Sequence, residues 1–240
     1  RILKSVAASV FTDLAHFKEA ETLLKALLDG KNDRDTWISL SQVYEKQKNF
    51  SDMAKALDHA AELSKSDEEK ENVYFMRGAM FERQKKFEQA EAEFRQVLKL
   101  NPENSSALNY LGYMLADRNV RLQEALDMIK KAVDIEPNNG AFLDSLGWVY
   151  FRLNRFDEAA EQLRRSLDRG SRDPTVHEHL GDVYNAMDNL KDAITMWERS
   201  IAEWQSNAPS GVDQAEISKI QKKVEGAKVR LAREAPPAKK

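Results

Sequence analysis

Four glycines recur at a nearly constant spacing along this 240-residue chain, and this spacing constrains the fold more than any other feature. Gly78, Gly112, Gly147 and Gly181 are separated by 34, 35 and 34 residues, although the chain contains only nine glycines. Self-similarity at a fixed period of this length is typical of repeat architectures. Because each repeat is held by contacts with its neighbours, the sequence predicts one continuous array rather than separately folding domains.

A 34-residue frame with these glycines at position 8 aligns other residues of the chain. Position 20 is alanine in the same four repeats, and positions 11 and 24 are aromatic or aliphatic. The frame extends toward the N-terminus and predicts six repeats, which start near residues 1, 34, 71, 105, 140 and 174. The repeat with Gly112 needs one extra residue in its turn around Asn119, and the polar stretch 64–72 is predicted to be a longer surface loop.

Each repeat is predicted to consist of two amphipathic helices joined by a short polar turn. The mostly apolar or small residues at positions 4, 7, 8 and 11, and those at positions 20, 24 and 28, follow helical spacing. A glycine inside a helix costs ~1 kcal/mol relative to alanine. We therefore predict that position 8 is glycine so that the two helices of a pair can approach closely. Pro102 and Pro137 should follow second helices, and Pro174 suits a first helical position.

The repeats resemble the tetratricopeptide family, whose signature is an aromatic residue, a Leu-Gly pair, a Tyr, and then Ala, an aromatic or aliphatic residue, Ala and Pro. The clearest matches are LNYLGYMLADRNVRLQEALDMIKKAVDIEPNN, LDSLGWVYFRLNRFDEAAEQL and HEHLGDVYNAMDNLKDAITMW. The resemblance covers residues 1–207. It implies an all-α fold, a right-handed α-solenoid of about six helix-turn-helix repeats.

Residues 208–234 depart from the frame and predict a single helix from about Val212 to Glu234. Its apolar residues, at alternating spacings of three and four, are Ile217, Ile220, Val224, Ala227 and Leu231. We interpret this segment as a C-terminal capping helix that covers the apolar face of the last repeat. The alternative is a coiled-coil seam to a second chain, for which fewer than three heptads are available. Residues 235–240 are predicted to be a disordered tail.

The composition excludes several kinds of chemistry. The chain has no cysteine, which excludes disulfides, thiolate metal sites and cysteine nucleophiles. It contains no phosphate-binding glycine loop and no nucleophile elbow. His177 and His179 are two residues apart and point to different faces of a helix. The two histidines of a helical metal site such as H-E-x-x-H are instead four residues apart, on one face. We interpret Glu178 and Asp182 as acidic surface, and expect no catalytic site, cofactor, metal or small-molecule substrate.

The net charge and the hydropathy of the sequence argue against nucleic acid as a partner and against a membrane-spanning helix. The net charge is −3, but residues 219–240 carry eight basic and two acidic side chains. Nucleic-acid binding through this basic end is the least favoured hypothesis, because no aromatic platform accompanies the lysines. The sequence contains no run of ~18 apolar residues, the length that a helix needs to span a bilayer. The first residue is Arg1 rather than Met, and we expect this sequence to be part of a longer protein.

The resemblance also implies a concave, partner-binding groove lined by positions 2, 5, 6, 9, 12 and 13 of the first helices. The candidate groove residues are Phe75, Met76, Asn109, Tyr110, Tyr113, Asp144, Trp148, Phe151, Arg152, Glu178, Asp182 and Asn185. Positions 2, 5, 6 and 9 hold no Lys or Arg in any repeat, which argues against the family's clamp for a C-terminal carboxylate.

Aromatic groove residues bordered by carboxylates are typical of interface anchors. We predict that a peptide or helix of another protein binds across repeats three to six, and that the acidic border favours basic segments. The alternative is that some of these aromatic rings, Tyr110 and Trp148 among them, pack between neighbouring first helices.

The style of the repeats resembles bacterial envelope proteins, among them lipoprotein adaptors that deliver substrates to proteases. We therefore expect a non-catalytic scaffold or adaptor for protein–protein interaction, in the bacterial cell envelope rather than the cytoplasm. The alternative is a regulatory or substrate-recruiting segment of a larger enzyme.

Overall fold

The computed structural model describes residues 2–206 and 214–234, which form thirteen α-helices and no strand. The helices are α1 (Ile2–Asp13), α2 (Phe17–Lys25), α3 (Arg34–Lys46), α4 (Phe50–Leu63), α5 (Asp67–Arg83), α6 (Phe87–Leu100), α7 (Ser105–Asp117), α8 (Leu122–Ile135), α9 (Gly140–Arg152), α10 (Phe156–Asp168), α11 (Pro174–Ala186), α12 (Leu190–Ser206) and α13 (Gln214–Glu234). The all-α prediction is confirmed. The predicted helix start at Val212 and the predicted disorder of residues 235–240 lie outside the described residues.

The chain divides into two compact units, Arg1–Ala107 and Leu108–Lys240. In the first unit α1 packs against α2, α3 against α4, and α5 against α6. In the second unit α9 packs against α10, and α11 against α12. A second helix also packs against the first helix of the next pair, as α2 does on α3 and α10 on α11. The helices therefore pair as the 34-residue frame predicts.

The glycines at position 8 lie where the two helices of a pair are in close contact. A β-carbon on Gly181 would lie 2.5 Å from Cδ1 of Trp197, far inside the ordinary contact distance. Equivalent contacts, at 2.6 to 2.7 Å, occur in the pairs Gly78–Phe94, Gly112–Ile129 and Gly147–Leu163. The prediction that these glycines permit close approach is confirmed, and the partner side chain stands at position 24 each time.

Two fully buried serines join the ends of helix pairs in the second unit. The Ser166 hydroxyl donates a hydrogen bond of 2.7 Å to the Gly140 carbonyl, and the Ser200 hydroxyl donates one of 2.7 Å to the Pro174 carbonyl. Each bond joins the second helix to the start of the first, 26 residues earlier. The two helices of each pair are thus antiparallel, and these bonds satisfy buried hydroxyl groups.

The turn inside every repeat contains a residue in the left-handed conformation, a feature that the sequence analysis missed. It stands at position 15, with φ between 56° and 61°, at Ala15, Lys48, Lys85, Asn119, Asn154 and Asp188. The next residue's N–H returns to a carbonyl five residues earlier, as in the 2.8 Å bond from Asn49 to Tyr44. This is the Schellman ending of a helix, at a position that usually holds glycine.

One predicted loop is wrong. The polar stretch 64–72 does not form a longer surface loop, because α5 begins at Asp67 within it. Ser66 Oγ accepts a hydrogen bond from the Glu69 N–H at 3.1 Å, and the Glu69 carboxylate accepts one from the Ser66 N–H at 3.2 Å. This capping box and three acidic residues in the first turn favour a helix start here. The extra residues therefore lengthen α5 by about one turn.

Other predicted boundaries are confirmed. The extra residue near Asn119 gives the α7–α8 turn a second left-handed residue, Arg121, at φ 48°. Pro174 begins α11, and the Asp173 side chain caps it by accepting a hydrogen bond from the Thr175 N–H at 2.9 Å. Pro102 and Pro137 follow the ends of α6 and α8.

The last described helix, α13, packs against α12. Its buried side chains Ile220, Val224 and Ala227 form a cluster with Ile194 and Trp197 of α12. These three residues belong to the apolar stripe found in the sequence. None of the helices in residues 2–206 and 214–234 is both long and apolar enough to cross a membrane.

Candidate functional site

The first helices of the second unit bring several candidate groove residues together. Asp144 of α9 and His179 of α11 stand at positions 5 and 6 of consecutive repeats. The Nδ1 atom of His179 lies 2.9 Å from Oδ1 of Asp144, and both side chains are largely buried. This contact joins neighbouring first helices directly, so groove positions also serve packing between repeats.

His179 lies in a polar and aromatic environment that sets its protonation. Burial lowers its pKa, but the adjacent Asp144 carboxylate, together with Asp182 and Glu178, raises it by more. The net result is a pKa above the ordinary histidine value of 6.5. A protonated imidazole would donate from Nδ1 to Asp144 as a charge-assisted hydrogen bond.

Trp148 lies between two other rings. Its indole stacks on His179 with ring centroids 4.2 Å apart, and on Phe151 with centroids 5.0 Å apart. Only 9% of Trp148 is exposed, and its Nε1 is buried without a hydrogen-bond partner. The structure thus places Trp148 in the packing between α9 and α11, which is the alternative to the predicted groove anchor.

The more accessible groove residues of the second unit form what we call the aromatic surface: Tyr110, Tyr113, Phe151 and Arg152. Tyr110 is 41% exposed, and the other three are half-buried. The Arg152 guanidinium carbon lies 5.6 Å from the centre of the Trp148 ring, within cation–π range. Tyr110 and Tyr113 stand at positions 6 and 9 of α7, whereas Phe151 and Arg152 stand at positions 12 and 13 of α9. The aromatic surface is thus contributed by two successive first helices.

The two carboxylates of α11 are paired within the chain. Lys223 of α13 places its Nζ 2.6 Å from Oε1 of Glu178 and 2.8 Å from both carboxylate oxygens of Asp182. Lys219 lies 3.6 Å from the same Glu178 oxygen, and the Trp197 indole N–H donates to Asp182 at 2.9 Å. The expected acidic border is therefore wrong for α11, because basic residues of α13 already neutralise it.

Other candidate residues also have contacts within the chain. The Asn185 carbonyl oxygen accepts a hydrogen bond of 3.1 Å from Arg230 of α13. Asn109 is 8% exposed, and its Oδ1 is buried without a hydrogen-bond partner. In the first unit, Phe75 meets the Phe94 ring edge-on at 5.7 Å, and Met76 packs against the core. Phe75 and Met76 are thus placed by core packing.

The first unit contains a cleft that the sequence analysis did not single out. A cavity of about 430 Å³ lies between α1 and α3. Candidate groove positions line it with polar side chains, among them Ser5, Ser9, Thr12 and Gln42. The frame could have found these residues, because they occupy positions 5, 9 and 12 of the first repeat and position 9 of the second.

Comparison with known proteins agrees with this architecture. The chain is 39% identical over 111 residues to the TPR repeat-containing protein PA4667 of Pseudomonas aeruginosa. The match covers 46% of this chain but only 19% of that protein, so the chain spans a small part of its curated relative.

Solved structures share the fold at low sequence identity. The Cut9–Hcn1 assembly of the anaphase-promoting complex matches with a TM-score of 0.75 and 18% identity, over 93% of this chain and 42% of the other. YrrB, a TPR protein with an unusual peptide-binding site, matches with a TM-score of 0.55 and 20% identity, over 76% of this chain and 92% of the other.

The family model of the tetratricopeptide repeat matches residues 75–140 and 145–209, which is more than half of the sequence. Repeats of this family are non-catalytic scaffolds for protein interaction. The helix pairs, the position-8 glycines and this match together show that the chain belongs to the tetratricopeptide repeat family.

Proposed function

We propose that this segment acts as an adaptor that binds a peptide or helix of a partner protein on the aromatic surface of the second unit. The observation that carries the proposal is the 41% exposure of Tyr110, a large aromatic side chain at a groove position of a first helix. Tyrosine buries a large area on binding, with few rotamers to freeze and a hydroxyl that can hydrogen-bond. The peptide-binding site named for YrrB supports the proposal by analogy of fold.

The internal ion pairs change the kind of partner that we propose. Because Lys219 and Lys223 pair with Glu178 and Asp182, basic segments have no special advantage at α11. The half-buried Arg152 guanidinium instead adds a positive charge beside the aromatic rings. The proposed partner segment is therefore apolar, and neutral or mildly acidic. Its affinity should depend only weakly on ionic strength, because burial of apolar area supplies most of the binding free energy.

The test compares a double variant of the aromatic surface with a control variant in the full-length protein. Tyr110→Ala combined with Phe151→Ala removes two rings of the aromatic surface. Ile135→Ala is the control, because Ile135 is also 41% exposed but lies on a second helix, α8. Crosslinking and affinity capture from the source cell identifies the partners of the parent protein. These partners should be lost with the double variant and retained with the control. Unchanged capture by a correctly folded double variant would refute the proposal.

We also propose that the protein works in the bacterial cell envelope. The resemblance of its repeat style to envelope adaptors supports this location. Fractionation of the source cell, followed by detection of the full-length protein, tests it, and recovery in the cytoplasmic fraction would contradict it. A catalytic domain in the full-length reading frame would instead favour a recruiting segment of an enzyme.

A further inference from the structure

The first helix of the first unit exposes an apolar face. Its strongly exposed aliphatic side chains are Ile2, Leu3, Val6 and Val10, and Leu14 follows in the turn after it, with exposures from 51% to 85%. Contiguous exposed apolar side chains of this kind mark interaction sites in soluble proteins. α13, which follows the last repeat, differs, because its exposed residues include Gln221, Lys222, Glu225 and Lys228.

The repeat frame shows that two of these positions are normally buried. Leu3 stands at position 3, and Val10 at position 10. The corresponding residues of α3, α5, α9 and α11 are at most 7% exposed, and they are Thr36, Val73, Phe142 and Val176 at position 3, and Val43, Met80, Val149 and Val183 at position 10. Apart from Thr36, these buried residues are apolar like Leu3 and Val10, so α1 differs in what covers it and not in its chemistry.

The difference in burial has an identifiable cause. Each of α3, α5, α9 and α11 packs against the second helix of the preceding pair, namely α2, α4, α8 and α10. Among the described residues, α1 packs against α2 and α3, both of which follow it in sequence. Within the described residues, the four buried cases thus have a preceding second helix against them, and α1 does not.

In one repeat, position 6 also contacts the preceding first helix. In α11 this position is His179, which contacts Asp144 of the preceding first helix at 2.9 Å. In α1 it is Val6, which is 57% exposed. The exposed face of α1 thus includes positions 3 and 10, which elsewhere are covered by a preceding second helix, and position 6, which in α11 contacts the preceding first helix.

We propose that this face, defined by Leu3, Val6 and Val10, is a docking surface for a further helix pair of the same polypeptide, which precedes α1 in the full-length protein. Its second helix covers Leu3 and Val10, and its first helix faces Val6 with an apolar side chain. Two observations favour this occupant over a second copy. The four equivalent faces, on α3, α5, α9 and α11, are each covered by the preceding segment of the same chain, and the matched segment is only 19% of the length of PA4667.

Single-cysteine labelling of the full-length protein tests this inference. The 240 residues contain no cysteine, so Val10→Cys gives one reporter within them, and any cysteine elsewhere is replaced beforehand. Val149→Cys reports a buried residue at the same repeat position, and Asp35→Cys reports a side chain that is 90% exposed. We expect a maleimide to react with Val10→Cys more slowly than with Asp35→Cys, by a factor on the order of 100 or more, because a buried thiol reacts only after local opening. Val149→Cys should show the same slow reaction.

Three outcomes would overturn the inference. Labelling of Val10→Cys as fast as Asp35→Cys means that the face is uncovered. Protection that disappears on dilution means that a second copy covers it. Protection that requires added lipid vesicles means that it binds a membrane surface. Only protection that is independent of protein concentration, in the absence of lipid, supports a preceding helix pair.

Discussion

Substitution of one packing glycine tests the physical basis of the repeat. In Gly181→Ala the new β-carbon would lie 2.5 Å from both Cδ1 and Nε1 of Trp197. Carbon atoms in contact are usually ~3.5–4.0 Å apart, so the overlap is about 1 Å. The indole has little freedom to move, because Trp197 is 2% exposed and its N–H is bonded to Asp182 at 2.9 Å.

Two opposing effects set the magnitude. An overpacked core costs about 1–3 kcal/mol, and a glycine-to-alanine change inside a helix gains about 1 kcal/mol. Gly181→Ala should therefore lower the free energy of unfolding by up to about 2 kcal/mol. A loss near the upper end is expected, because the contacted side chain is a rigid, hydrogen-bonded ring.

Gly226→Ala is a matched control within the same chain. Gly226 lies inside α13, and a β-carbon there would meet no atom within 4 Å. The helix-propensity gain remains and the steric cost disappears, so this variant should be stabilised by about 0.5–1 kcal/mol. The difference between the two variants then isolates the steric cost, about 1–3 kcal/mol.

Urea unfolding followed by circular dichroism and tryptophan fluorescence measures both variants. Agreement between the two probes justifies a two-state treatment. The expected result is opposite shifts of the midpoint, downward for Gly181→Ala and upward for Gly226→Ala. If Gly181→Ala stabilised the protein as much as Gly226→Ala, close approach could not be the reason for glycine at position 8.

Other predictions concern the turns and the buried histidines. Lys85→Gly should raise the melting temperature by a few degrees, because it relieves about 1 kcal/mol of left-handed backbone strain at φ 57°, whereas Asn154→Gly should change it less, since asparagine tolerates this conformation. The raised pKa of His179 beside Asp144 favours folding below pH ~6.5, and this stabilisation should disappear as the pH rises through the folded-state pKa. His177 has a pKa lowered by burial, so its contribution has the opposite sign, present above pH ~6.5 and lost as the pH falls through the folded-state pKa. Melting temperatures measured across this pH range should lose the first dependence in His179→Gln and the second in His177→Gln. If the melting temperatures of both variants and of the parent change equally with pH, the assignment is wrong.

The turn residues show where sequence patterns were insufficient. Left-handed backbone is commonly marked by glycine, yet position 15 holds lysine in two repeats and alanine in another. Asn119, Asn154 and Asp188 were the available signal, because Asn and Asp adopt this conformation more readily than other residues. The turn keeps its geometry at Lys48 and Lys85 because the flanking helices are held by packing, which compensates for the local strain.

The candidate site shows a similar limit. The frame placed Glu178 and Asp182 correctly on a first helix, but it gave no indication that Lys223 would lie between them. These residues are more than 40 positions apart, in segments with different periodicity. The opposite charges of α11 and the C-terminal segment were visible in the sequence. Their pairing depends on how α13 packs against α12, which is a tertiary contact.

The sequence alone determined the period, the pairing of helices and the residues that pack within each pair. It could do so because these features follow from local periodicity, and because each pair repeats the same contact between positions 8 and 24. Only the tertiary structure decided which of the candidate groove residues remain accessible. Tyr110 stays exposed and Trp148 becomes buried, although both stand at candidate groove positions. Accessibility depends on the neighbouring helices, here His179 of α11 for Trp148, and no pattern within a single repeat specifies that contact.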